Sequence, residues 1–322
     1  MALILNEKYI GSRSSFNLFI SNRFIKIFPL YFTVVIATLL LTYLLQRGLW
    51  TVSLDVPLYV KFLSIITNIS ILGQDILHFV AIYPQDGTMG LAKKSSSNYL
   101  SNYLIVSQSW ALALELYFYL MIFFVIKSKL RVLWIIALLV LSIIIKSSVI
   151  FNELLFSPWN YRLFFSELYL FLYGVIAYYI YIKIRSNEIL IKYSKVIYFL
   201  SVNLIVFLFL HTQSYINLNI VSISDVRFKE ALYLVILVLV PILFLVFKNN
   251  KFDRIVGELS YPIYLVHLAV PLGLEYFSIN VANKAYLLWT IVTVAIILNY
   301  VVQNPIEGYR QQRVQNVKDS DQ

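Results

Sequence analysis

Polar residues in this chain collect into short blocks, and between them lie apolar runs of spanning or near-spanning length. The runs fall at Ile27–Leu45, Trp110–Ile126, Val132–Phe151, Leu163–Ile182, Val196–His211, Ala231–Phe247, Leu259–Phe277 and Ala285–Val302. A helix rises 1.5 Å per residue and needs roughly 20 apolar residues to cross a hydrocarbon layer. The pattern therefore predicts an all-α, polytopic transmembrane helix bundle of about eight spans. The stretch from Leu58 to Tyr83 is different. Its apolar block, Phe62 to Leu72, is short, is interrupted by Asn68 and is followed by Gln74, Asp75 and His78. It reads as an interfacial or re-entrant helix rather than a span.

Composition agrees with a bilayer. Of 322 residues 60% are hydrophobic and 13% charged, and the mean hydropathy is +0.79, more than a water-soluble core absorbs. Gly (9) and Pro (8) are few while Tyr (25) and Phe (23) are many, which suits regular helices with rings at the interfaces. With no cysteine, disulfides and thiolate chemistry are excluded. No cleavable signal is expected at Met1–Ser12, because Met-Ala-Leu-Ile-Leu is too short for an apolar signal core.

The net charge of +10 could suggest nucleic acid, but the basic residues sit in clusters between apolar runs, as membrane topology requires. Charge placement also chooses between span counts. With eight spans and a cytoplasmic start, 17 of the 26 Lys and Arg residues fall inside. Letting Leu58–Tyr83 span as well inverts the later loops and leaves 11 inside. Eight spans with both termini cytoplasmic is the expectation, with lipid and not nucleic acid as the partner. The chain reads as one membrane domain over 1–310 followed by a polar tail over 311–322, the place where disorder is expected. No internal repeat is visible, nor the matched broken helices of an inverted-repeat transporter.

Ionisable groups within spans cost roughly 2.5 to 3.5 kcal/mol each on insertion scales, so they are candidates for function. Glu115 lies inside the second span, where a carboxylate could act as base or be held by a neighbouring Arg or Tyr. His267 lies mid-run, and helical spacing predicts that Ser260, Tyr264 and His267 share one face. Arg23 and Lys26, one turn apart at the start of the first span, could hold phosphates or simply anchor the helix. His78 and His211 read as ordinary, Glu307 as a solvated cap, and Glu167 as a partner for Arg162. No Gly-rich phosphate loop, nucleophile elbow or metal-ligand spacing is present. Neither a metal nor a bound cofactor is expected.

Four segments, in order, resemble the bacterial integral membrane acyltransferases of acyltransferase family 3, which include polysaccharide and O-antigen O-acetyltransferases. Asn22-Arg23-Phe24-Ile25-Lys26-Ile27-Phe28-Pro29-Leu30-Tyr31 is similar to the family's basic pair followed by Ile-x-Pro-x-Tyr, with Lys26 where Arg is usual. Trp110-Ala111-Leu112-Ala113-Leu114-Glu115-Leu116-Tyr117-Phe118-Tyr119 looks like Trp-Ser-Leu-x-x-Glu-x-x-Phe-Tyr, with Ala111 replacing Ser. Ser260-Tyr261-Pro262-Ile263-Tyr264-Leu265-Val266-His267 resembles the late Ser-Tyr-x-x-Tyr-Leu-x-His signature, and Glu307 with Arg310 is similar to the short basic ending. Where the family usually has an Arg before a mid-helix Gly, Glu167 precedes Gly174.

The resemblance implies acyl transfer, with acyl-CoA and above all acetyl-CoA as co-substrate, to a hydroxyl of a cell-envelope glycan or glycan-lipid at a bacterial cytoplasmic membrane. It implies acyl-CoA phosphate binding at Arg23 and Lys26, catalytic candidates in Glu115 and His267, and support from Ser260, Tyr264 and Trp110. The family ordinarily has ten helices, the first bearing a histidine held to be catalytic. No histidine or span precedes Asn22, so the first two helices are expected to be absent. The alternatives are a transporter or polymerase of polysaccharide or lipid-linked sugars, or an inactive, truncated acyltransferase.

Overall fold

The computed structural model describes residues 5, 9, 15–45, 57–83, 88–93, 96, 98–152, 158–159, 161–216, 223–279 and 283–320. Its long helices are α1 (Ser15–Leu44), α2 (Leu58–Ser70), α3 (Trp110–Lys127), α4 (Arg131–Phe151), α5 (Phe164–Ile184), α6 (Glu188–Ile216), α7 (Ile223–Phe247), α8 (Lys251–Val266), α9 (Ala269–Tyr276), α10 (Lys284–Leu298) and α11 (Asn304–Ser320). Each of the eight apolar runs falls in a helix or in the α8–α9 pair. Among the described residues five helical segments are long and apolar enough to cross a membrane, and α8 with α9 makes a sixth if the bent pair is one span. The remaining two runs hold shorter apolar stretches, Val196–Phe207 in α6 and Leu232–Phe247 in α7. The chain is an all-α polytopic bundle. Lipid-type exposure is plain on α4, where Leu133, Trp134, Ile136, Val140 and Ile144 stand at the surface; in water so much open apolar surface would aggregate.

The chain forms two compact units, divided at Tyr169, early in α5, and again after Val256. In the unit Tyr169–Val256, α6 packs along α7, with Tyr198 edge-on to Phe247 at 4.6 Å and Tyr181 to Phe244 at 4.9 Å. The other unit holds Leu5–Leu168 and Gly257–Gln322. There α1 contacts α3, α9 and α11, and Phe16 and Phe19 pack on Phe123 and Tyr119.

The Leu58–Tyr83 segment holds a 13-residue helix, α2, about 20 Å long and short of a bilayer. It then turns at Ile71 (φ 67°) and Gly73 (φ 84°), the second a backbone shape that glycine adopts without strain. The hairpin of β1 (Val80–Tyr83) and β2 (Thr88–Leu91) follows, pairing Val80 with Leu91 and Tyr83 with Thr88. Asn68, which interrupts the apolar pattern, ties this segment together: its amide donates to the Ser64 and Tyr103 carbonyls and accepts from Ile105 N–H. Tyr31 on α1 donates to the Asn68 carbonyl at 2.7 Å and accepts from Gln74 at 3.0 Å.

Three expectations change. The run Leu259–Phe277 is not one straight helix: α8 and α9 meet at 59°. Pro271 is the physical reason, because it cannot donate to the His267 carbonyl four residues back and its ring collides with that carbonyl. The polar segment after 310 is helical through Ser320, joined to α10 by a π-turn at Asn299–Gln303 just before Pro305. Glu167 pairs with Lys146 Nζ at 2.6 Å rather than with Arg162, which turns to His78. The His211 side chain lies outside the described residues, as do parts of the Lys93–Asn98 patch.

Candidate functional site

The basic pair, the carboxylate and the late tyrosine motif converge although they are far apart in sequence. A cavity of about 350 Å³ is lined by Arg23, Lys26 and Ile27 from α1, Ala111, Leu112, Glu115 and Tyr119 from α3, and Ser260, Tyr261 and Tyr264 from α8. That volume lies in the range of small-molecule sites. Pro29 disrupts the backbone bonding of α1 one turn past Arg23 and Lys26. Nearby, Tyr261 donates to the Ile27 carbonyl at 2.7 Å and pins α8 against α1.

Arg23 is 2% exposed, its guanidinium 5.4 Å from the Phe19 ring centre and 5.6 Å from that of Tyr119. Its Nε and Nη2 find no acceptor among the described residues. Glu115 accepts a hydrogen bond from Tyr119, one turn along α3. The cavity lining thus carries two cations against one carboxylate, with guanidinium donors unspent. That arrangement suits a ligand with negative charge. The Glu115 carboxylate also supplies a proton acceptor beside two cations able to stabilise a developing oxyanion.

Two expected members lie elsewhere. His267 lines neither this cavity nor the one described next; past the end of α8, its Nδ1 is 2.6 Å from the Tyr264 carbonyl, one of the acceptors a helix end leaves open. Its backbone N–H still bonds the Ile263 carbonyl and its ring lies 6.0 Å from that of Tyr264, so it keeps the side shared with Tyr264 while standing outside the cavity lining. Trp110 instead meets Arg162, whose guanidinium is 5.2 Å from the indole centre, and packs edge-on to His78 at 6.4 Å. Tyr119 and Tyr261 were not among the expected residues; their signals are the one-turn spacing from Glu115 and adjacency to Ser260.

Arg162 and His78 belong to a second cavity of about 490 Å³. Its polar lining includes Thr38, Ser101, Asn102, Ser107 and Gln108, with Leu265, Leu268 and Leu272 on the apolar side. Arg162 Nη1 contacts His78 Nδ1; arginine has no acceptor, so His78 accepts and its remaining proton sits on Nε2. Burial, reinforced by the Arg162 cation, pushes the His78 imidazole down to about 3 and keeps it neutral. His78 is therefore not ordinary.

A family model described as an acyltransferase domain matches residues 2–302. No curated protein and no solved structure matches the sequence.

Proposed function

The chain belongs to the acyltransferase family whose domain it matches over residues 2–302, and from that membership we propose that it is a membrane-bound O-acyltransferase. It moves an acyl group, in the simplest case acetyl, from cytoplasmic acyl-CoA to a hydroxyl of a cell-surface polysaccharide or glycan-lipid at a bacterial cytoplasmic membrane. The observation that carries this reading is the buried Arg23, with Nε and Nη2 unsatisfied among the described residues, in a cavity that also presents Lys26 and Glu115. Phosphates of CoA are the anions such a pair would hold, Arg23 by its fork and Lys26 as a point charge.

In this reading Glu115 takes the acceptor's proton as the hydroxyl oxygen attacks the thioester carbonyl. The Tyr261 and Tyr264 hydroxyls are spent on the Ile27 and Gln108 carbonyls, so the oxyanion that forms is stabilised by the positive charge of Arg23 and Lys26 on the same cavity. Collapse expels the CoA thiolate, which takes up a proton as the ester is left on the glycan. His267 acts in this reading as a positioning residue at the end of α8, fixing the backbone beside Tyr264.

The test supplies radiolabelled acetyl-CoA to membranes containing the chain and envelope glycan. Alkali-labile label on glycan, lost in Glu115→Gln, is expected. Absence of transfer, with CoA binding indifferent to Arg23→Ala, would favour a transporter or polymerase and sink the reading.

A further inference from the structure

The cavity of Arg162 and His78 has a chemistry of its own. Its only ionisable groups among the described lining residues are these two and Tyr99, and no carboxylate faces Arg162 there. Because Nδ1 accepts from Arg162, the second nitrogen of His78 is a donor, and it has no partner among the described residues; neither has Arg162 Nε. His78 is only 7% exposed. A buried N–H without an acceptor is costly because it has given up water for nothing, so two of them beside a polar cavity mark a place where an acceptor is missing. The lining also supplies hydroxyls and amides from Thr38, Ser101, Asn102, Ser107 and Gln108, groups that pair with alcohols rather than with lipid chains. Trp110 and Tyr161 hold the guanidinium from their ring faces, at 5.2 and 5.0 Å.

We propose that this cavity binds the acceptor through an acidic sugar: Arg162 and His78 take a carboxylate while the surrounding hydroxyls and amides take ring hydroxyls. The proposal rests on the acyltransferase reading in calling that sugar the acceptor, but the anion site follows from the donor pair alone. It makes the substrate an anionic glycan, one bearing uronic acid units, rather than a neutral one. The site is separate from the Arg23 cavity, with which it shares no lining residue. Gln108 lines the acidic-sugar side and Tyr264 the other, and they are hydrogen-bonded to each other.

The experiment is equilibrium dialysis of the full chain in phosphatidylcholine nanodiscs against radiolabelled glucuronate, with no acyl donor present. Saturable binding is expected, at least about tenfold tighter than for glucose, a difference of roughly 1.4 kcal/mol. It should be lost in Arg162→Gln, weakened in His78→Phe and kept in Arg23→Ala. Because Arg162→Gln removes the cation beneath Trp110, Arg162→Lys is the second variant and should retain weakened binding. Should neither fold, the glucuronate-to-glucose ratio of the unaltered protein decides. Equal binding of glucose overturns the proposal, as does a response lost in Arg23→Ala instead. Inorganic phosphate binding as tightly as glucuronate marks a bare anion site, and competition by phosphatidylglycerol marks a lipid site; either result overturns it. Glucuronate binding without any acyl transfer would leave this site standing and remove the acyltransferase reading.

Discussion

Tyr264 donates its hydroxyl to the backbone carbonyl of Gln108, and Gln108 answers with its side-chain amide on the Leu265 carbonyl at 2.8 Å. The contact joins the end of α8 to the turn that starts α3, 156 residues apart. It also stands between the two cavities, since Tyr264 lines one and Gln108 the other. Replacing Tyr264 by Phe should keep the ring packing and lose the bond. The expected cost is about 1 kcal/mol, visible as a lowered thermal midpoint in detergent. Transfer should fall by more than that loss of stability accounts for. Unchanged transfer in a destabilised protein would confine Tyr264 to a structural role.

Glu115→Gln preserves the shape of the side chain and an oxygen for Tyr119, yet removes the base. Transfer should drop roughly a hundredfold or more, the usual span for losing a general base, while CoA binding changes little. A full-rate Glu115→Gln enzyme would reassign the proton acceptor.

Arg23 separates charge from geometry. Arg23→Lys retains a cation but gives up the planar fork, so KM for acetyl-CoA should rise about tenfold, roughly 1.4 kcal/mol, with kcat less affected. The same tenfold should be missing when the donor lacks its 3′-phosphate, if that group is the one Arg23 holds. Steady-state kinetics with both donors make the comparison.

Much of this was written in the apolar pattern, because a bilayer demands length and hydrophobicity segment by segment, and runs such as Val132–Phe151 satisfy that demand without reference to any neighbour. The meeting of Arg23, Glu115 and Tyr264 was legible only through motif order, since nothing local in three separate helices states which faces touch. His78 and Arg162 were missed because they lie 84 residues apart; the available clue was an arginine set against Tyr161 and Trp159, opposite a histidine in an otherwise apolar stretch. The bend after Val266 was missed because a 3.6-residue period was carried past Leu268 to Pro271, where the helix cannot continue. In each case tertiary contact, or one proline, overrode a rule valid within a single element.

His78 predicts a pH response. Its folded value is about 3 against an ordinary 6.5, so the unfolded chain binds a proton that the folded one refuses as pH falls through 6.5. Stability is therefore full above about 6.5 and declines toward 3, by about 2 kcal/mol at pH 5. Asp75 opposes the trend, because burial raises its carboxyl and protonation then favours the folded state. The His78→Phe variant isolates the imidazole. Between pH 7 and 5 its thermal midpoint should fall less than that of the unaltered protein; parallel curves would show that His78 is not held neutral.

Lys146 and Glu167 pose the remaining question, why two charges are kept within apolar helices. Their contact at 2.6 Å joins α4 to α5, with side chains 15% and 11% exposed, and Ser166 adds a bond to Glu167 at 3.4 Å. Removing either partner takes the ion pair away from a charge held largely out of water, and Lys146→Met or Glu167→Leu alone should each cost about 3 kcal/mol. Removing both eliminates the desolvation cost along with the attraction, so the double variant should return to within about 1 kcal/mol of the starting stability. Unfolding of the four proteins in one detergent, read as a double-mutant cycle, measures the coupling. A double variant that loses the sum of the single losses would show that the two residues act separately. Near-complete recovery combined with lost transfer would show that the pair is retained to hold α4 and α5 in one arrangement rather than for stability.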